Sequence, residues 1–233
     1  MRPSRPVRGS VSGRFEPRVA IFIDGSNLYH SLEENCSRYD LDFGAFSIKL
    51  AGERQLFRTY YYNVLRDQER NPQAYQDQQK FLSALYNTPY LDVRLGGSKI
   101  RGETAVEKGV DIMLATDLLR FAWTDLYDVA ILVSGDGDFA YAVQAVKDMG
   151  KHVEVAAFPA NLSWELSNIA DDRELFTPDY FTELWSRKKG PLRATDNSFR
   201  RPQQRRPLRP NSGSYGDGGD FTERGYADRG YQP

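Results

Sequence analysis

The sequence contains little cysteine or histidine, which limits the metal sites and redox chemistry open to the chain. Its 233 residues include one cysteine, Cys36, and two histidines, His30 and His152. A single cysteine forms neither an internal disulfide nor a cysteine-based zinc site. Two histidines exclude a site built mainly from imidazoles. Any metal site must therefore be built from carboxylates.

Long apolar runs are also missing. No stretch approaches the roughly 18 consecutive apolar residues that predict a transmembrane helix. The N-terminal segment MRPSRPVRGSVSGRF is basic but lacks the apolar stretch of a secretory signal. The chain contains no G-x-x-x-x-G-K-[ST] loop, which excludes a P-loop NTPase. We therefore expect a cytoplasmic protein without a membrane partner.

The net charge of -1 conceals a strong asymmetry along the chain. Residues 1–18 hold five arginines and one glutamate, a net charge of +4. Residues 187–233 hold nine arginines, two lysines and five acids, a net charge of +6. The residues between them hold 15 bases and 26 acids, a net charge of -11. The chain is thus an acidic body between two basic arms, a pattern typical of proteins that bind polyanions.

The composition of the arms predicts disorder at residues 1–17 and 187–233, around a folded domain at residues 18–186. The second arm is rich in Arg, Gly and Pro and has few aliphatic residues. Its arginines alternate with three tyrosines, a composition that suits loose contacts with RNA phosphates and bases. A solubilising tail is the alternative interpretation.

Between the arms, strand patterns alternate with helix patterns. Short apolar runs predict buried strands at 19–23 (VAIFI) and 128–133 (DVAILV). A further strand at 90–95 is expected to end at Gly96–Gly97. Apolar strands alternating with helices predict an α/β fold with a mostly parallel sheet covered on both faces. In such sheets, functional residues collect at the carboxyl ends of the strands.

Both of these apolar strands run directly into acidic, glycine-containing turns. VAIFI is followed by Asp24-Gly25-Ser26-Asn27, and DVAILV by Ser134-Gly135-Asp136-Gly137-Asp138. If the two strands are neighbours, Asp24, Asp136 and Asp138 meet at one edge of the sheet. Asp111 lies in the first turn of a strong predicted helix, a position that suits an acid. Taken singly, each of these acids also fits a helix cap or a turn former.

Grouped carboxylates predict a divalent cation. Close carboxylates repel each other unless a cation compensates their charge. Mg²⁺ and Mn²⁺ prefer hard oxygen ligands, and such an ion assists the hydrolysis of a phosphate ester. Asp117 lies about 240° around the helix from Asp111, so it is expected either to support the metal ligands from behind or to serve the structure.

Three motifs together resemble the NYN domain, a branch of the PIN-like metal-dependent ribonucleases, and in particular its LabA-like group. They are IDGSN at 23–27, EKGVD at 107–111 and SGDGDF at 134–139. The resemblance extends from about Arg18 to Trp185. It implies a three-layer α/β/α fold and Mg²⁺- or Mn²⁺-dependent cleavage of RNA.

The resemblance also implies roles for individual residues. Four acids would hold the metal and carry catalysis: Asp24, Asp111, Asp136 and Asp138. Asn27 and Ser134 would orient the substrate and support the site. Glu107 and Lys108 are weaker candidates, as a further acid and as a phosphate contact.

Three functions follow, in descending order of support. The first is a metal-dependent endoribonuclease whose partner is RNA. The second is an RNA-binding or regulatory module that acts on gene expression with negligible turnover. The third is a small-molecule phosphohydrolase, against which the arginine-rich arms argue. The number of metal ions, a homodimer and protein partners bound through the arms stay open.

Overall fold

The computed structural model describes residues 16–101 and 104–186, without the side chains at 98–101 and 104–108. The segments predicted to be disordered arms lie outside these residues, apart from 16 and 17. Within the described part, no helix is long and apolar enough to cross a membrane.

The described residues form one seven-stranded sheet. Its strands are β1 Arg18–Asp24, β2 Gln55–Val64, β3 Leu91–Arg101, β4 Thr104–Lys108, β5 Val129–Val133, β6 His152–Ala157 and β7 Asp172–Leu175. Their order across the sheet is β4-β3-β2-β1-β5-β6-β7. Every neighbouring pair is parallel except β3 and β4. The predicted mostly parallel sheet is therefore confirmed, with β1 at its centre.

Helices cover both faces of the sheet. They are α1 Gly25–Cys36, α2 Phe43–Ala51, α3 Pro72–Tyr86, α4 Val110–Trp123, α5 Ala140–Asp148 and α6 Trp164–Ile169. Short 3-10 helices span Gly137–Phe139 and Pro178–Phe181. Asp24, Asp42 and Asn71 accept from backbone N–H groups at the starts of α1, α2 and α3, which fixes where these helices begin.

The strand period of two divides the core into two layers. In β1, Val19, Ile21 and Ile23 face the core that contains α1, α2 and α3. Ala20 and Phe22 face the opposite core, which contains residues of α4, α5 and α6. Because both faces of the sheet are apolar, its polar chemistry is confined to its ends. This arrangement is the expected three-layer α/β/α fold.

The prediction that β3 ends at Gly96–Gly97 is wrong. Gly96 still pairs with Val64 of β2, and Gly97 pairs with Lys108 of β4. Pairing on both sides outweighs the weak strand preference of glycine. Beyond Val64, β3 and β4 continue alone as an antiparallel hairpin that projects past the end of β2.

The chain remains packed through Ser186. The Ser186 backbone N donates to the Asp40 carbonyl oxygen at 2.8 Å, and Trp185 forms a β-bridge with Leu41. Phe181 is fully buried, with its ring stacked on that of Phe46. These contacts close the first core at the end of the described chain.

An ion pair joins the starts of β1 and β5. The Arg18 backbone N and Nε donate to Asp128 Oδ2 at 2.8 and 3.0 Å, and Nη2 donates to Oδ1 at 2.9 Å. The hydrogen bonds from Arg18 are the main reason that the pKa of Asp128 lies below its ordinary value. The contact helps to fix the register of β1 against β5.

We expect Asp128→Asn to lower the free energy of unfolding by about 2 kcal/mol at neutral pH, because charge-assisted hydrogen bonds are lost. Since the folded-state pKa is depressed, this stabilisation is complete above the unfolded pKa of about 3.9. It disappears as the pH falls through the folded-state value. Urea unfolding at several pH values measures the effect, with the exposed Glu53→Gln as a control. Equal stability of Asp128→Asn and Glu53→Gln at pH 7 would contradict it.

Candidate functional site

The carboxyl ends of β1 and β5 bring the two predicted acidic turns together. The strands are adjacent and parallel, and Ile23 pairs with Val133. Asp24 and Ser134 are the next residues along each chain segment, so they lie side by side at the edge of the sheet. We call Asp24, Asn27, Ser134 and Asp136, with their connecting backbone, the edge cluster.

Asp24 is a buried carboxylate at the centre of the edge cluster. Its side chain accepts hydrogen bonds at Oδ1 from Ser26 Oγ and the Asn27 backbone N, both at 3.1 Å. Oδ2 accepts from Ser134 Oγ at 3.3 Å. Burial raises the pKa of Asp24, and the negative charge of Asp111 raises it further, against the effect of these hydrogen bonds. A nearby cation would relieve both penalties on the ionised form.

Ser134 links Asp24 to the second turn. Its side chain is buried, and Oγ accepts from the Asp136 backbone N at 3.2 Å while donating to Asp24. Asn27 makes a second link, because its Oδ1 accepts from the Gly135 backbone N at 3.1 Å. The two turns are therefore joined in a fixed arrangement by polar side chains of the edge cluster.

Asp136 and Asp138 play different parts in the second turn. Asp136 is partly buried, and its Oδ1 accepts from the Asp138 backbone N at 3.1 Å. This bond caps the 3-10 helix at Gly137–Phe139 that leads into α5. Asp138 is exposed, so the structure places its carboxylate at the outer side of the turn.

The remaining candidates lie near α4. Asp111 is exposed in the first turn of that helix and acts electrostatically on Asp24. Glu107 and Lys108 belong to β4, where their side chains are not among those described. Asp117 accepts from Tyr62 Oη at 3.1 Å and Arg120 Nη2 at 2.9 Å, so it serves the structure.

The acids are near one another but do not form a closed metal cage. Among the described side chains, no group of three or more from Asp, Glu, His and Cys could hold a metal ion. The donor atoms nevertheless fit Mg²⁺ or Mn²⁺, because all are carboxylate, amide or hydroxyl oxygens. Mg²⁺ commonly takes only one or two protein carboxylates and fills its other positions with water and substrate phosphates. Asp111 and Asp138 are exposed side chains whose rotamers can change on binding.

Sequence reasoning missed a loop that lies against the second turn. A Cβ on Gly135 would stand 2.0 Å from the Asn161 carbonyl oxygen, so only glycine fits there. Asn161 Oδ1 accepts from Asn35 Nδ2 at 3.0 Å, and its Nδ2 donates to Glu34 Oε2 at 2.9 Å. The loop thereby ties the edge cluster to α1. No sequence pattern around Asn161 predicts its contact with Gly135.

Comparison with known proteins agrees with this fold. The chain is 28% identical to the Low amplitude and bright protein LabA of Synechococcus elongatus, over 67% of this chain and 83% of that protein. A crystal structure of a protein of unknown function from Vibrio parahaemolyticus has the same fold. It shows a TM-score of 0.59 and 24% identity and covers 70% of this chain and 95% of that one. The family model of the NYN domain matches residues 18–176. The chain therefore belongs to the NYN domain family.

Proposed function

We propose that this protein is a metal-dependent endoribonuclease that hydrolyses RNA phosphodiester bonds in the cytoplasm. Membership in the NYN family, a PIN-like nuclease family, supports a role in RNA. The observation that carries the proposal is the link through Ser134. It joins the buried carboxylate of Asp24 to the turn that bears Asp136.

The acids divide into a fixed part and an exposed part. Asp24 would hold a divalent ion from the buried side of the site, because its hydrogen bonds keep the carboxylate in one orientation. Asp136, Asp111 and Asp138 would complete the site when metal and RNA are present. A bound Mg²⁺ or Mn²⁺ would stabilise negative charge on the scissile phosphate and make a nearby water more acidic. Asn27 would position that water or the substrate.

Charge explains why an acidic domain would carry basic arms. The central residues hold a net charge of -11, which repels a polyanion, whereas the two ends hold +4 and +6. Arginines at the ends would supply affinity for RNA that depends on phosphates rather than sequence. Such affinity falls steeply as the salt concentration rises.

An RNA-binding or regulatory module without turnover is the second candidate. It is favoured by one observation, namely that no group of three metal-binding side chains has formed among the described residues. In this case the edge cluster would stabilise the fold, and RNA would be held through the arms. Binding would then be independent of metal.

Cleavage of an end-labelled single-stranded RNA with Mg²⁺ or Mn²⁺ tests the proposal. We expect cleavage that EDTA abolishes and that Asp136→Asn reduces about 100-fold or more, because a metal carboxylate is lost. Asparagine keeps an oxygen at the position that caps the 3-10 helix, so folding is preserved. Asp148→Asn removes an exposed carboxylate at the other end of α5 and is the matched control.

The control must cleave at the wild-type rate. If the wild-type protein and Asp136→Asn bind several RNAs but cut none with either metal, the nuclease is excluded and the binding module is favoured.

We expect Ser134→Ala to weaken activation by metal, because Asp24 loses the hydroxyl that holds its Oδ2. Loss of a residue that orients a metal ligand typically costs about 10- to 100-fold in metal affinity or activity. The measurement is the Mn²⁺ concentration at half-maximal cleavage, taken at a temperature where thermal melts show the variant folded. An unchanged midpoint and an unchanged maximal rate would show that Ser134 does not position Asp24 for catalysis.

A further inference from the structure

Two large aromatic side chains stand exposed in the first turns of neighbouring helices. Tyr141 is the second residue of α5 and is 86% exposed. Trp164 is the first residue of α6 and is 75% exposed. Exposure of this degree is costly for rings that have apolar faces, and one such side chain on a surface needs no explanation. Two such side chains at the same end of adjacent helices call for an explanation.

Both rings belong to elements that border the edge cluster. Tyr141 follows Asp138 by three residues, just after the 3-10 helix that Asp136 caps. Trp164 follows Ser163, whose Oγ would lie 3.0 Å from a Cβ on Gly137. The Ser163 backbone N also donates to the Gly135 carbonyl oxygen at 2.9 Å. The start of α6 is therefore held directly against the acidic turn.

The backbone beneath each ring is firmly anchored. Ser163 Oγ accepts from the Leu166 backbone N at 3.2 Å, and Leu166 is fully buried. Ala142 and Val143, which follow Tyr141, are buried in the second core. The rings are thus side chains on fixed positions, and a planar ligand that stacks on them orders little additional backbone.

We propose that Tyr141 and Trp164 form a stacking surface for unpaired bases of the RNA strand that lies in the candidate site. This proposal rests on the proposed function, because it assigns a subsite to the same RNA. Aromatic rings stack on any nucleobase, so the surface adds affinity without reading sequence. It also selects single strands, since the bases of a duplex already stack on each other and present no free faces.

The surroundings of the rings disfavour an apolar protein partner, and because the nearby acids also repel phosphates, contact with RNA at this surface rests on its bases. Asp138 and Glu165 are exposed carboxylates next to the rings in the sequence. A protein laid over both rings would remove these charges from water at considerable cost. Two rings also fall short of the roughly 800 Å² per partner of a stable protein interface. A stacked base covers a ring and leaves the carboxylates hydrated.

Equilibrium binding of labelled RNA to the full-length Asp136→Asn protein, in EDTA to prevent cleavage, tests the stacking surface. The probes are a single-stranded oligouridylate of about 12 nucleotides, an abasic ribose-phosphate chain of equal length, and an RNA duplex. We expect Tyr141→Ala and Trp164→Ala each to weaken oligouridylate binding by about 5- to 100-fold. Binding of the abasic chain and the duplex should stay within twofold of the parent protein.

Matched variants separate stacking from general damage. Trp123 is 81% exposed at the last residue of α4, the end away from the edge cluster, and Trp123→Ala should bind like the parent. Tyr141→Phe and Trp164→Phe keep a ring and should retain most of the affinity. The stacking surface is excluded if the alanine variants bind oligouridylate normally, lose the abasic chain equally, or are no weaker than the phenylalanine variants.

The two proposals fail in different measurements. If the wild-type protein cuts no RNA with either metal while the alanine variants lose oligouridylate selectively, the stacking surface stands and the nuclease falls. If cleavage is normal and the ring variants bind like the parent, the nuclease stands and the stacking surface falls.

Discussion

The hydrogen bonds around the Asp24 carboxylate are the constraint on which the rest of the edge depends. Asp24 is a buried acid at the end of the central strand, and burial disfavours its charge. Two groups of α1 and the hydroxyl of Ser134 bind its oxygens. The same carboxylate therefore begins a helix and joins β1 to the turn after β5. A change at Asp24 would disturb fold and chemistry together.

Around Asp24, the buried part of the edge cluster is held rigidly, whereas the exposed acids can change rotamer. The Asn161 loop presses on Gly135 and ties the second turn to α1, so the buried side of the edge cluster has one arrangement. Asp111 and Asp138, by contrast, are exposed. In the proposed nuclease, such a site would be completed by its ligands, because a bound cation would offset the repulsion between the carboxylates.

Much of this could be predicted from the sequence, for identifiable reasons. The runs VAIFI and VAILV are apolar throughout, and buried parallel strands have few other sequence forms. Their neighbouring positions then place Asp24 beside Ser134. The strand β7 escaped prediction because Asp172–Leu175 is mostly charged and entirely exposed, so no apolar period marks it. The continuation of β3 beyond Gly97 depends on its pairing with β4, which local preference does not reveal. The contact between the Asn161 loop and Gly135 depends on tertiary structure alone, so no local pattern predicts it.

The edge cluster is assembled from residues that are distant in the chain, and this has a consequence for biosynthesis. The bond between Ser134 and Asp24 spans 110 residues, and so does the ion pair between Arg18 and Asp128. Closing so long a loop costs entropy that only the completed sheet repays. During synthesis on the ribosome, β2 is available to pair with β1 before β5 has been made. The other side of β1 stays unpaired until β5 is inserted there. Until that moment the chain has no edge cluster, so a prematurely terminated product that lacks β5 would not contain the candidate site.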